Sequence, residues 1–255
     1  MKRLGRIGYL ILIYLFLYCP MAVLIVFSFN DSQYSLSWKG ATLNWYRVLL
    51  ADGQLLRVAL NSLVVALSSA TLAAAIGTVA AVTLFRYRFF GRRLLYALIY
   101  VLIMSPEIVM GISLLMLFVA IRLPLGFWTL LLSHTTFCIP FVVVTVLSRL
   151  SGFDRNLMDA AQDLGASEVQ VFRRIVLPLL MPAVLAGWLL SFALSLDDVI
   201  ISFFVTGPGF EVLPLRIFSL VRLGVKPEIN ALCTLMFGLT LVFITLSQVL
   251  QKEKR

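Results

Sequence analysis

The sequence predicts an all-α integral membrane protein with six transmembrane helices, on three observations. Apolar residues make up 61% of the 255 and charged residues 13%, against roughly a quarter charged in soluble domains. The apolar residues collect in runs of about the 20 that a helix needs to cross a bilayer. The 21 Lys and Arg fall in the short connections between those runs and form no single basic face, so the net charge of +9 does not point to nucleic acid.

The runs are 7–29, 58–85, 94–121, 123–148, 179–205 and 229–251. The first follows MKRLGR and is 23 residues long, too long for a signal-peptide core of about 7–15, and no small-x-small cleavage site follows it. Tyr18 before Cys19 also argues against a lipoprotein site. It is read as a retained span. With six spans both termini share one side. If that side is cytoplasmic, 14 basic residues lie inside (in 2–6, 86–93, 149–174 and 252–255) and 7 outside. The excess of inside charge predicts cytoplasmic termini.

Within the second run, Ala70, Ala73 or Ala74, Gly77 and Ala81 set small residues about four apart. Such a face lets helices approach closely and predicts a central place in the bundle. Outside, NWYRVLL offers Trp45 and Tyr46 for a segment at headgroup level. Cys19, Cys138 and Cys233 lie in separate apolar runs and read as buried thiols rather than a disulfide framework. No internal repeat is visible, which weakens an inverted-repeat secondary transporter.

The longest inner connection reads SRLSGFDRNLMDAAQDLGASEVQVFRRIVLPLLMP. Asp154 can cap a short helix carrying Leu157, Ala160, Ala161 and Leu164 at helical spacing. Gly165 fits the left-handed position that ends it. Ser167 with Gln170 forms a capping box opening a second helix, which Pro178 is expected to end. A segment resting on lipid would carry Lys and Arg on its polar face, whereas 154–168 holds four acids and one Arg. An anionic leaflet repels that pattern, and a groove in a protein partner accommodates it.

The pattern D-A-A-x3-G-x9-I-x-L-P, formed by Asp159, Ala160, Ala161, Gly165, Ile175, Leu177 and Pro178, resembles the EAA loop of ABC importer permeases, with Asp159 in place of the usual Glu. The resemblance implies that 149–178 docks in a cleft of a cytoplasmic ATPase and transmits its closure. The chain has no G-x-x-x-x-G-K-[ST] stretch to cradle phosphates. ATP and Mg²⁺ are therefore expected on a partner ATPase, with no cofactor and no enzyme activity on this chain.

Three acids lie inside the runs, Glu107, Asp197 and Asp198, and no Lys or Arg does. A carboxylate near the bilayer centre costs roughly 2.5–3.5 kcal/mol on insertion scales. Pro106 removes a helix hydrogen bond beside Glu107 and favours irregular backbone lining a cavity. In a continuous helix Trp188, Ser191, Ser195, Asp198 and Ser202, spaced 3, 4, 3 and 4, share one face. That stripe suits the wall of a polar pathway, with Asp198 lining it and Asp197 about 100° away. Unneutralised negative charge asks for a mobile cation, and nearby aromatic rings would help to bind ammonium groups. The alternative is that the acids are hydrogen-bonded between helices and touch no solute. His134 and Cys138 are four apart, but two ligands do not make a metal site. A histidine bonded to a neighbouring helix is expected there.

MSPEIVMGISLL, LSHTTFCIPFVVVTVLSRL, FALSLDDVIISFFVTGPG and GVKPEINAL are similar to the spermidine/putrescine importer permeases, through almost the whole chain. The resemblance implies the type I ABC importer permease fold, in one permease domain spanning 1–255 in a bacterial inner membrane. It also implies as partners a second homologous permease subunit, an ATPase dimer and an external polyamine-binding protein, in a setting of membrane lipid. The outer connection 206–228 is then the candidate contact for the binding protein. A proton-coupled secondary transporter would use the acids as a relay but leaves the helix–Gly–helix loop unexplained, and a non-transporting scaffold leaves the acids unexplained.

Overall fold

A computed structural model of the chain describes residues 2–32, 37–154, 156–222 and 227–252. Arg155, Lys226, Lys254 and Arg255 from the charge count, and Gly224 and Val225 from GVKPEINAL, lie outside the described residues. Among the described residues the fold is all-helical, with two isolated β-bridges and no strand. The helices run α1 Lys2–Phe27, α2 Asn44–Ala51, α3 Gly53–Arg86, α4 Arg92–Met104, α5 Glu107–Ala120, α6 Phe127–Leu150, α7 Asn156–Asp163 and α8 Glu168–Val171. A π-turn, Phe172–Val176, leads into α9 Leu177–Asp197, then α10 Ile200–Val205, α11 Leu213–Arg222 and α12 Pro227–Lys252.

Four helical stretches are long and apolar enough to cross a membrane: Ile7–Phe27, Gly53–Arg86, Phe127–Leu150 and Glu168–Asp197. The pair α4 and α5 makes a fifth if its 113° bend is counted within one span. Four to five of the expected six are thus found among the described residues; α12 adds a shorter apolar stretch, Glu228–Val242. The bend follows from Pro106. Proline drives the residue before it out of the helical region, and Ser105 is extended with ψ 136°. The fifth run is also interrupted. Asp198 is extended (φ −67°, ψ 123°) and separates α9 from α10 where one continuous helix was expected.

The chain divides into two compact units. In Met1–Arg57 with Arg216–Arg255, α1 and α12 pack together and α2 lies against α12. Trp45 donates from Nε1 to the Asn30 carbonyl at 2.8 Å, and Tyr46 Oη lies 2.6 Å from Ser28 Oγ. The polar ends of both rings are thus used to fasten α2 to the end of α1. The apolar window of α1 is unburied, as suits a surface meeting lipid.

In Val58–Leu215 the core centres on α6, whose Leu130, Cys138, Val142, Val143, Val146 and Leu150 have no exposed surface. The small-residue face of α3 is buried as expected, with Ala70, Ala73 and Ala81 fully enclosed. A Cβ at Gly77 would lie 2.8 Å from Val142 Cβ, and one at Gly187 of α9 3.3 Å from Val142 Cα. Two helix backbones therefore close on the same valine of α6. The 34 residues of α3 extend about 51 Å at 1.5 Å per residue, beyond a hydrocarbon layer of roughly 30 Å. That surplus carries Arg86 to the loop between α6 and α9.

Candidate cation site and coupling surface

Two broken helices meet within the apolar layer. Glu107 occupies the first turn of α5, directly after the Pro106 bend, and Asp197 ends α9 at the second break. Both side chains are exposed, and Glu107 lies within electrostatic range of both aspartates. The elements bearing the breaks are in contact, because α10 packs on α5 at Gly111. A Cβ there would fall 2.7 Å from Phe204 Cδ2 and 3.4 Å from Ile201 Cα. Glycine is required for that approach. Uncovered carboxylates beside interrupted helices are the arrangement expected where irregular backbone lines a cavity, and such acids attract a cation.

Asp198 departs from its expected place on an open pathway wall. It is 8% exposed, and its carboxylate accepts from the backbone N–H of Ile201 at 3.1 Å and of Ser202 at 2.7 Å. It serves as the cap of α10, satisfying N–H groups that the break leaves without helical partners. Ser191, Ser195 and Ser202 are likewise buried, so the polar stripe faces the interior of this chain. Trp188 is half-buried; it donates to Thr71 Oγ1 at 3.1 Å and stacks on Phe192 at 5.6 Å. The physical reason is α6, which supplies a histidine to this face. His134 Nδ1 is 2.7 Å from Ser195 Oγ and Nε2 is 3.0 Å from Ser202 Oγ. Helical spacing identified the shared face, and a His134 bonded to a neighbouring helix was expected as the alternative to a metal ligand; that the two are partners was not legible.

The connection after α10 is anchored by close packing and hydrogen bonds. Gly207 sits against the Leu125 carbonyl with no space for a Cβ. Thr129, whose hydroxyl accepts from the Gly126 N–H at 2.9 Å, donates to the Val205 carbonyl at 2.7 Å. Ser62 accepts from the Leu213 N–H at 2.6 Å, and Asn61 donates to the Glu211 carbonyl at 3.1 Å. Only the spacing of Gly126 and Thr129 hints at these anchors in the sequence; Asn61 and Ser62 carry no signal there.

In the connection between α6 and α9, Asp154 accepts from the Asn156 N–H at 2.9 Å at the start of α7. Gly165 is left-handed with φ 86°. The Ala166 N–H bonds the Ala161 carbonyl at 3.1 Å and the Gly165 N–H bonds Gln162 at 2.8 Å, the paired bonds of a Schellman end. Ser167 and Gln170 form the expected capping box. Pro178 departs from its expected role of ending the second helix. The backbone stays helical through the π-turn, and Pro178 sits in the first turn of α9, where no N–H is required of it.

Met158, Val171 and Val176 anchor the loop in the core, leaving a cavity of about 220 Å³ beside Val79, Val82 and Phe172. Arg86 fixes the other side, donating to Gln162 Oε1 at 2.7 Å and lying 3.7 Å from Asp159 Oδ1. Tyr87 donates to Glu168 Oε1 at 2.8 Å. In the sequence Arg86 was legible only as one of the basic residues counted inside, and Tyr87 carried no signal. Of the other patterned positions, Ala160 and Pro178 are exposed while Ala161, Ile175 and Leu177 are half-buried. Leu157, Leu164 and Val169 stand out, Leu164 at 90% exposure. An apolar, acid-flanked rim of this kind fits a groove in another protein.

Residues 73–252 match the family model described as binding-protein-dependent transport system inner membrane component. The chain is 53% identical over 252 residues to the spermidine/putrescine transport system permease protein PotC of Escherichia coli (strain K12), covering 99% of this chain and 96% of that protein. It is 50% identical to the PotC protein of Haemophilus influenzae, over 97% of this chain and 96% of the relative. The putrescine transport system permease protein PotI of E. coli is 45% identical, over 91% and 85%. Among solved structures, a bacterial ABC transporter involved in import of the polysaccharide alginate aligns over 99% of this chain and 96% of that chain, with TM-score 0.76 at 16% identity. A chain of the MetNI methionine ABC transporter in an inward-facing conformation aligns over 78% of this chain and 94% of that chain, with TM-score 0.65 at 17% identity. These two share the fold.

Proposed function

Because the chain belongs to the family of binding-protein-dependent transport system inner membrane components, we propose that it is the permease subunit of an ATP-driven importer that passes spermidine or putrescine to the cytoplasm. The observation that carries this reading is the pair of uncovered carboxylates, Glu107 and Asp197, at two helix breaks in contact within the apolar layer. Exposed acids within apolar runs that hold no Lys or Arg suit a polycation that moves past them. The names of the relatives supply the same solute class. Asp198, Ser191, Ser195, Ser202 and Trp188 support the break from inside rather than forming the pathway wall.

Transport of this kind needs partners. The reading assigns a second, homologous permease to complete the path and an external polyamine-binding protein to deliver the solute over the outer connection after α10. A cytoplasmic ATPase dimer, carrying ATP and Mg²⁺, docks on Asp159, Ala160, Ala161 and the Leu157, Leu164 and Val169 rim. Both termini then face the cytoplasm of a bacterial inner membrane. The test is polyamine uptake by cells whose ATP is depleted while the proton gradient is maintained. Uptake stops if the partner ATPase drives it. Continued uptake would point to a proton-coupled secondary transporter.

A further inference from the structure

One group in the apolar layer has no part in that pathway, and it touches both sides of the break. His134 of α6 is 1% exposed. Its Nδ1 lies 2.7 Å from Ser195 Oγ on α9 and its Nε2 lies 3.0 Å from Ser202 Oγ on α10, with Asp198 Oδ2 at 3.5 Å from Nε2. Ser69 of α3 donates to Ser195 Oγ at 3.0 Å. The hydrogens distribute consistently over a neutral imidazole, which has one donor and one acceptor. Ser195 receives from Ser69 and donates to Nδ1; Nε2–H then donates to Ser202 with the Asp198 carboxylate alongside. One ring thus connects α3, α6, α9 and α10.

The distances require the break. Seven residues of continuous helix set Ser195 and Ser202 about 10.5 Å apart along the axis. An imidazole with a hydrogen bond at each nitrogen spans at most about 8 Å. The ring reaches both hydroxyls because α10 does not continue the axis of α9 beyond the extended Asp198. Loss of the ring would leave two buried hydroxyls without this partner, and buried polar groups need partners.

We propose that His134 is a positioning residue that clamps α9 to α10 across the Asp198 break and so holds Asp197 exposed at the cation site. The clamp itself is independent of the solute; its effect on transport rests on the function proposed above. Two readouts separate them, both made on the full complex in membranes. The first is the reaction rate of Asp197→Cys with a membrane-impermeant thiol reagent, corrected for the same chain without that substitution. The second is polyamine uptake at varied concentrations of loaded binding protein.

His134→Phe keeps a ring and removes both hydrogen bonds, whereas His134→Gln keeps one donor and one acceptor. The Phe variant should change the thiol reaction rate several-fold and lower maximal uptake about tenfold, with half-saturation shifted less than about twofold. Gln should restore both to within about threefold of the parent. An unchanged reaction rate in the Phe variant overturns the clamp, whatever uptake does, and so does failure of Gln to restore it. A changed reaction rate with unchanged uptake supports the clamp and removes Asp197 from the solute path. If the Phe complex does not assemble, Ser202→Ala removes one anchor alone. It should give a smaller change in the same direction, and no change there overturns the proposal.

Discussion

Gly111 and Phe204 touch so closely that a Cβ on the glycine would lie 2.7 Å from the ring. This contact brings α5, which begins at the Pro106 bend, against α10, which begins at the Asp198 break. The proposed cation site depends on it, since Glu107 and Asp197 stand at the two interruptions. Gly111→Val should therefore push α5 off α10. Overpacking of this kind costs about 1–3 kcal/mol, and the expected outcome is a lower melting temperature of the purified complex together with reduced uptake. Gly8, around which nothing lies within 4 Å of a Cβ, is the control: Gly8→Ala should leave both unchanged.

The adjacent aspartates should separate by phenotype. Asp198 is buried on two N–H groups, whereas Asp197 is exposed. Asp198→Ala loses a cap, a change worth about 0.5–2 kcal/mol, and should lower thermal stability by several degrees on the scale of such a loss. Asp197→Ala should leave the melting temperature near that of the parent. Equal destabilisation by the two would contradict the capping role.

Gly165 holds φ 86° with open space around it, so a side chain there is opposed by backbone conformation and not by crowding. Gly165→Val should cost about 1–2 kcal/mol at the loop and reduce co-purification of the ATPase. Gly165→Asn, which tolerates the left-handed region, should retain most of it. Equal loss in both variants would argue that bulk, not conformation, matters at this turn.

Arg86 makes one hydrogen bond at 2.7 Å to Gln162 and one partly exposed ion pair at 3.7 Å to Asp159. Exposed pairs contribute about 0–1 kcal/mol and a hydrogen bond to a charged group about 1.5–3, so the contact with Gln162 dominates. Arg86→Gln should leave assembly intact and lower the polyamine imported per ATP hydrolysed, measured in proteoliposomes. An unchanged ratio would show that α3 does not brace the loop.

Local patterns carried much of this protein into view. The Gly165 turn, the Ser167–Gln170 box and the small face of α3 follow from spacing alone, and each stands where expected. The Pro106 bend was visible because proline acts on its immediate neighbours. The second break was not. Residues 179–205 keep an uninterrupted helical period, and what interrupts them is a carboxylate turned onto the N–H groups of Ile201 and Ser202. Once α6 brings His134 to that face, Asp198 belongs inside and Asp197 outside, the reverse of what periodicity favoured. Pairings across 61 and 68 positions are beyond the reach of helical spacing, and so was the hold of Arg86 on the loop.

The most direct test is the initial rate of spermidine uptake by proteoliposomes of the assembled complex carrying Glu107→Gln and Asp197→Asn together. Loaded binding protein and ATP are supplied at saturation. The isosteric exchange removes charge and little else, so uptake should fall at least about tenfold, the equivalent of 1.4 kcal/mol, while ATP hydrolysis continues. Uptake at the parental rate would mean that these carboxylates do not conduct the cation.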